Sequence, residues 1–301
     1  MIPLVSIVML TKNAGNGFSD ILSSISKQKF KNFEVIIIDS GSKDRTLEIA
    51  GKFPVRIYQI KPEEFGHGKT RNLGAKLARG KFVVYLTQDA IPANNLWLGS
   101  FLKNFKDKRV AGAFSRQIPR KNASLLEGFF CDYHYPKKKI IRSNESRNLF
   151  LDKIFFSNVS SCIRKNILRK FKFNEGLIMS EDQQWARDVF KAGYNTIYEP
   201  SSIVYHSHNY RLKTVFQRYF DSAFSLKIIT KGRNQDFASY ARKYMLKEFL
   251  FIFRKSPPLI PYLMAYNTAK ILGSFFGLNE QWLPLFLKKE FSLHKNYWNK
   301  K

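Results

Sequence analysis

Three short apolar runs constrain this chain more than anything else in it: VSIVML at 5–10, FEVIII at 33–38 and FVVYL at 82–86. Runs of this length, rich in β-branched and aromatic residues, read as strands buried on both faces. What separates them has helical spacing. Phe18, Ile21, Leu22 and Ile25 mark one helix over 18–28; a second begins near Lys43, with Asp44 and Thr46 in its first turn; a third runs from Arg71 to Ala78 and ends at Gly80. Val55 to Gln59 supplies another strand. This β-α-β-α-β-α-β alternation predicts an α/β fold, a mostly parallel sheet with helices on both faces and right-handed crossovers.

Beyond Asn95 the pattern loosens. Trp97–Phe105 reads as helix, Val110–Phe114 as strand, Phe155–Ile163 as strand and Arg164–Phe171 as helix. A helix to Gly193 starts at Ser180, where Ser180 and Gln183 have the spacing of an N-terminal cap. Thr196–Tyr198 and Ile203–Tyr205 read as two short strands, and 121–147 has no assignment. Past Tyr210 the stretches 212–230, 237–253 and 261–276 alternate aromatic and aliphatic residues with Lys and Arg at helical spacing, broken at Pro257-Pro258. The expected division is therefore 1–210, with a first half 1–90 and a second half 91–210, followed by a basic amphipathic helical region over 211–301.

The formal net charge of +28 on 301 residues speaks about partners rather than fold. Nucleic acid, an anionic membrane and a polyanionic substrate all satisfy it, but no fingerprint of a nucleic-acid module is present. Two cysteines without motif spacing, Cys131 and Cys162, read as free thiols in a reducing compartment. The N-terminal MIPLVSIVML lacks a basic n-region and a cleavage site, so it reads as a first strand. No apolar run approaches the roughly 20 residues of a membrane span. A cytosolic protein, attached at most to a membrane surface, is expected.

Candidate chemistry gathers at the strand ends. In open α/β sheets ligands sit beyond the carboxyl ends of the strands, where this sequence places Asp39 and Asp89. Asp39 suits hydrogen bonds from a base or ribose, and Asp89 suits a hard divalent cation on phosphate oxygens; acids at strand ends also cap helices. The segment GHGKTRN at 66–72 offers backbone amides, Lys69 and Arg71 to an anion, or is an ordinary basic turn. Asp182, at a helix start, is a candidate general base. His206 is a candidate nitrogen ligand, and His208 points to the same side if the segment is extended.

Taken together, these stretches resemble the family 2 glycosyltransferases of the GT-A fold. The likeness is carried by VSIVMLTKN, IIIDSGSKDRT and FGHGKTRNLGAKLARGKFVVYLTQDAIP. Within the family, TQDAIP, FSRQIPRKNA, FFSNVSSCIR, MSEDQQWARDVFKAGY, YEPSSIVYHSHNY and FSLHKNYW are similar to the bacterial rhamnosyltransferase branch. The resemblance implies that Thr11, Asn13, Asp39, Arg71, Gln88 and Asp89 bind the nucleotide sugar. It further implies that Asp89 and His206 hold Mg²⁺ or Mn²⁺, that Asp182 is the catalytic base, and that Glu181 and Trp185 line the acceptor pocket. Thr87 stands where the family's first metal-binding acid is expected. The implied reaction is an inverting sugar transfer from dTDP-rhamnose to a saccharide or lipid-linked saccharide in cell-surface polysaccharide synthesis, with UDP-galactofuranose and UDP-N-acetylhexosamine as alternative donors. A lipid-linked acceptor and the basic tail together imply a cytoplasmic enzyme on the anionic inner face of the cell membrane, with no specific nucleic-acid partner. A nucleotidyltransferase would instead carry a glycine-rich loop where TKNAGNGF stands.

Overall fold

The protein is described by a computed structural model over residues 2–146, 150–232 and 237–300. Its first part comprises β1 (Val5–Thr11), α1 (Phe18–Ser26), β2 (Phe33–Asp39), α2 (Thr46–Ala50), β3 (Arg56–Gln59), α3 (His67–Leu77) and β4 (Phe82–Leu86). There follow β5 (Ile91–Pro92), α4 (Trp97–Leu102), β6 (Val110–Ile118), α5 (Leu125–His134), β7 (Ile140–Arg142), α6 (Phe150–Ile154), β8 (Ser160–Arg164), α7 (Lys165–Lys170), α8 (Glu181–Lys191) and β9 (Asn195–Tyr205). The last part is helical: α9 (Leu212–Thr230), α10 (Phe237–Lys255), α11 (Ile260–Leu278) and α12 (Leu285–Phe291).

Among the described residues the strands form one sheet in the order β3-β2-β1-β4-β8-β6-β9-β5, with β7 paired to β9. The first four are parallel. Beyond them the sheet is mixed: β8 runs antiparallel to β4 and β6, and β9 runs parallel to β6. Strand β1 shows why both faces are apolar. Val5, Ile7 and Met9 pack with Phe18, Ile21 and Leu22 of α1 and with Trp97 and Phe101 of α4. Val8 points the other way, into a core with Ile36, Tyr85 and Trp185, as the two-residue period of a strand requires. Gly74 lets α3 lie against the sheet, since a Cβ there would strike Val8.

Several boundaries differ from the sequence reading. The helix expected from Arg71 begins at His67, so the GHGK segment is its first turn rather than a loop. The strand expected over 155–163 is only Ser160–Arg164, because at Asn158 the backbone turns toward α8, where its N–H is bound. The two short strands expected around Pro200 are one, β9. Its pairing with β6 slips between Ser115–Glu199 and Arg116–Ile203, and that irregularity accommodates the proline. The unassigned stretch holds α5 and β7; its last residue, Arg147, lies outside the described residues.

The helical region returns to the sheet domain through its C-terminal segment. Leu293 N–H donates to buried Asp221, Tyr297 Oη donates to Gly176 O, and Trp298 is buried with Ile178, Phe220 and Phe224. Helices α9 and α11 pack closely because Gly273 and Gly277 lack a Cβ, which would run into the Phe216 and Phe220 carbonyl oxygens.

Gly273→Ala should destabilise the protein by about 1–2 kcal/mol, the overpacking cost less the helix-propensity gain. Gly99→Ala, where an added Cβ meets nothing within 4 Å, should leave the thermal midpoint unchanged or raise it. Equal melting of both variants would refute the close-packing account.

Candidate active site

The carboxyl ends of β1, β2 and β4 are tied into one lattice of loops. Asp39 is 1% exposed. Its Oδ2 accepts from Thr11 Oγ1 at 2.9 Å and from Ser42 Oγ, and its Oδ1 accepts from the N–H groups of Gly41 and Ser42. Asn13, in the left-handed region at φ 51°, accepts from Lys43 N–H through Oδ1. Gln88 clamps Lys12, accepting from its N–H at 2.8 Å and donating to its carbonyl at 3.1 Å. Both Asp39 oxygens thus hold the loop that closes this end of the sheet.

Asp89 lies just past β4, and the β6–β9 pairing brings the end of β9 to it. His206 Nε2 lies 3.6 Å from Asp89 Oδ1, His208 Nε2 lies 3.3 Å from Oδ2, and the two Nε2 atoms are 3.0 Å apart. Gln117, near the end of β6, orients His206. Its Nε2 donates to Tyr135 Oη and Ser157 Oγ, leaving Oε1 to accept from His206 Nδ1–H at 2.8 Å. That tautomer frees His206 Nε2 toward Asp89. The His208 N–H is held by Glu127 Oε1.

The electrostatics suit a cation. Burial alone would raise the Asp89 carboxyl, but its polar surroundings, His206 foremost, outweigh it and hold it well below the usual range. Burial and the neighbouring His206 push His208 down to about 4, so its imidazole is neutral. One carboxylate and two imidazoles thus converge within 4.8 Å of one another. Ligands about 2.1 Å from an ion and at right angles to each other lie about 3.0 Å apart, which the imidazole pair matches. The residues fit a divalent cation, and His208 joins the expected pair where Thr87 contributes no acid.

Arg71, Glu181 and Asp182 form the opposite wall. Arg71 Nη1 meets Glu181 Oε1 at 2.6 Å with both side chains buried. Asp182 Oδ2 accepts from Asn158 N–H at 3.0 Å and Oδ1 from Gln183 N–H at 2.8 Å. Burial first, and the charge of Glu181 second, push Asp182 up to about 7, while Arg71, against burial, keeps Glu181 low. A carboxylate so placed exchanges a proton near neutral pH. Ser157 and Asn158 link the two walls, one touching Gln117 and the other Asp182. Ser180 caps α8 in the left-handed region at φ 62°, without the side-chain hydrogen bond expected of it. Trp185 is 1% exposed and packs against Phe156 and Phe173. Glu181, 4% exposed, pairs with Arg71.

A parallel half-sheet, an acid–imidazole cluster past its fourth strand and a carboxylate with a raised pKa at the start of α8 fit a transferase of the GT-A kind. The chain belongs to glycosyl transferase family 2, whose family model matches residues 6–175. It is 32% identical over 302 residues, 98% of this chain and 96% of the other, to the O-antigen chain rhamnosyltransferase RfbN of Salmonella typhimurium. It is 34% identical over 304 residues, 99% and 96%, to the O-antigen chain rhamnosyltransferase WbaN of Salmonella anatum. Its fold is similar to that of the mannosyltransferase PcManGT of Pyrobaculum calidifontis, solved with GDP-Man and Mn²⁺, with TM-score 0.57 at 17% identity over 95% of this chain and 75% of that one. It is also similar to residues 1–349 of S. aureus TarS, with TM-score 0.55 at 18% identity over 92% and 90%. The protein is thus a sugar-transferring enzyme. Gln117, Asn158 and His208 carry much of the site's geometry. Gln117 and Asn158 had no place in the sequence reading, although both sit inside the stretches FSRQIPRKNA and FFSNVSSCIR.

Gln117→Ala should weaken Mn²⁺ binding about 10–100-fold, the usual cost of losing a ligand-orienting partner, and His208→Ala should do at least as much. Titration calorimetry of the intact protein with Mn²⁺ checks both; unchanged affinity in either variant would remove that residue from the cluster's role.

Proposed function

We propose that this enzyme transfers L-rhamnose from dTDP-rhamnose, with inversion, to a hydroxyl of a lipid-linked saccharide in cell-surface polysaccharide synthesis. The observation that carries the donor choice is the likeness, over nearly the whole of each chain, to two enzymes named as O-antigen chain rhamnosyltransferases. The labour divides along the chain: 1–90 for the nucleotide sugar, 91–210 for the acceptor, and 211–301 for the membrane. Thr11, Asn13, Asp39 and Gln88 frame the nucleotide loops, and Arg71 acts through Glu181. Asp89, His206 and His208 would hold Mg²⁺ or Mn²⁺, which when bound offsets the charge of the nucleoside diphosphate.

In the reaction, the Asp182 carboxylate accepts the proton of the acceptor hydroxyl. The acceptor oxygen bonds to the anomeric carbon from the face opposite the diphosphate, and the carbon–oxygen bond to dTDP breaks, leaving dTDP with the electron pair. Asn158 N–H and Gln183 N–H hold Asp182 in place through this step.

A panel of dTDP-rhamnose, UDP-sugars and GDP-sugars tests the donor; transfer from UDP-sugars and not from dTDP-rhamnose would overturn this choice. With the active donor, kcat should fall about tenfold per pH unit below about pH 7, because the base must be deprotonated and its carboxyl is raised to about 7. Asp182→Asn should cost on the order of 10²-fold or more in kcat and abolish that limb. Near-normal turnover by the variant would exclude Asp182 as the base.

The site of action we infer is the cytoplasmic face of the membrane. Among the described residues no helix is long and apolar enough to cross a membrane, yet Leu246, Phe249, Leu250 and Phe253 form an exposed stripe on α10 at i, i+3, i+4, i+7. Met264, Ile271, Leu272 and Phe275, at i, i+7, i+8, i+11, are exposed on one side of α11, whose single charged residue, Lys270, is buried. Arg242, Lys243, Lys247, Arg254 and Lys255 lie exposed beside the α10 stripe. Such a face fits an anionic lipid surface, where each cation contributes about 1 kcal/mol. The protein should float with anionic vesicles at low salt, and Phe249→Asp/Phe253→Asp should not; equal flotation of both would refute the face.

A further inference from the structure

A cavity of about 490 Å³ lies between α5, β7, α6 and α10 and has none of the cation cluster in its lining. It adjoins the active site along the chain in two places. Phe155 lines it and leads through Ser157, which meets Gln117, to Asn158, which holds Asp182. His134 and Pro136 line it on either side of Tyr135, whose hydroxyl accepts from Gln117.

The cavity carries unspent polar capacity. Arg142 is 6% exposed, and its guanidinium lies over Phe114 and Phe155, 5.2 and 5.7 Å from the ring centres. Its Nε donates to Asp152 O at 2.9 Å, while buried Nη1 has no hydrogen-bond partner among the described residues. A buried N–H left unpaired is costly, and a ligand hydroxyl would satisfy it after a small opening. The rest of the lining mixes signs: Lys243 and Lys247 share it with Asp132 and Asp152, and Lys247 Nζ lies over the Tyr133 ring, 5.4 Å from its centre. Burial pushes His134 down to about 3, so it adds no charge. With two carboxylates against three cations, the cavity keeps only a small net positive charge, a weak seat for a polyanion such as a diphosphate. A polyol is different, because each hydroxyl both donates and accepts, and the ring of Phe251 suits the apolar side of a sugar ring. The volume falls within the roughly 300–1,000 Å³ of small-molecule sites.

We propose that this cavity is a second saccharide subsite, which holds sugar residues of the acceptor away from the reacting hydroxyl. The proposal rests on the glycosyltransferase reading but not on the choice of donor.

The test uses the full chain, with neutral manno-, galacto- and rhamno-oligosaccharides of two to four residues as probes and inorganic pyrophosphate as competitor. Binding is followed by saturation-transfer NMR and calorimetry. Asp132 and Lys247 are exposed, so Asp132→Ala/Lys247→Ala should fold, which an unchanged thermal midpoint and dTDP affinity would verify. At least one oligosaccharide should bind, with affinity lowered roughly tenfold or more in the double variant and unaffected by pyrophosphate. The proposal is overturned if no oligosaccharide binds, if the double variant binds as the wild type does, or if pyrophosphate displaces the sugar. A donor panel that favoured UDP-sugars would sink the rhamnosyl reading and leave this subsite standing.

Discussion

The buried contact between Arg71 and Glu181 is what the rest of the site leans on. It joins α3, which packs on the parallel half of the sheet, to the first residue of α8, which belongs to the mixed half. Breaking a buried pair by removing one partner typically costs about 3–5 kcal/mol, since the remaining charge is stranded. Here the consequence reaches chemistry as well as stability. The Glu181 charge sits one residue from Asp182 and helps to raise its pKa, while Arg71 keeps Glu181 ionised. His67 adjoins Arg71, and His294 from the C-terminal segment packs edge-on against His67 at 5.1 Å. The ion pair is thereby roofed by a part of the chain far from it in sequence.

What could be read from the sequence followed burial. β1, β2 and β4 were legible because strands covered on both faces must be apolar throughout, and α9 fell at its expected bounds because its spacing is regular. The mixed half was not. β7 is three residues long and exists by pairing with β9, so no local pattern announces it. The run FFSNVSSCI looks uniformly strand-like, yet Asn158 breaks it to reach α8. Asp89, His206 and Asp182 drew attention because acids and histidines at element ends invite a chemical reading. Gln117 was not, since its role depends on the register that sets it opposite Val204. The burial of Trp185 and Glu181 was not legible for the converse reason: a helix start that carries acids also faces the core, and sequence alone does not say which side wins.

Where Thr87 stands in place of a first acid, an imidazole two residues past His206 lies 3.3 Å from Asp89, on the side the sequence reading gave it. Nitrogen ligands favour later first-row ions over Mg²⁺ more than carboxylates do, and the neutral form of His208 suits that preference.

The distance in sequence between the site's parts has a consequence for how the molecule matures. β1 to β4 can pair from contacts within the first 86 residues, whereas the Arg71–Glu181 contact spans 110 positions and the Gln117–His206 contact 89. Contacts that close long loops form late. A molecule that has ordered only its parallel half has neither the Arg71–Glu181 nor the Gln117–His206 contact. On the roles proposed for Asp182 and His206, partly folded chains are silent, and turnover reports that the last long-range contacts have been made.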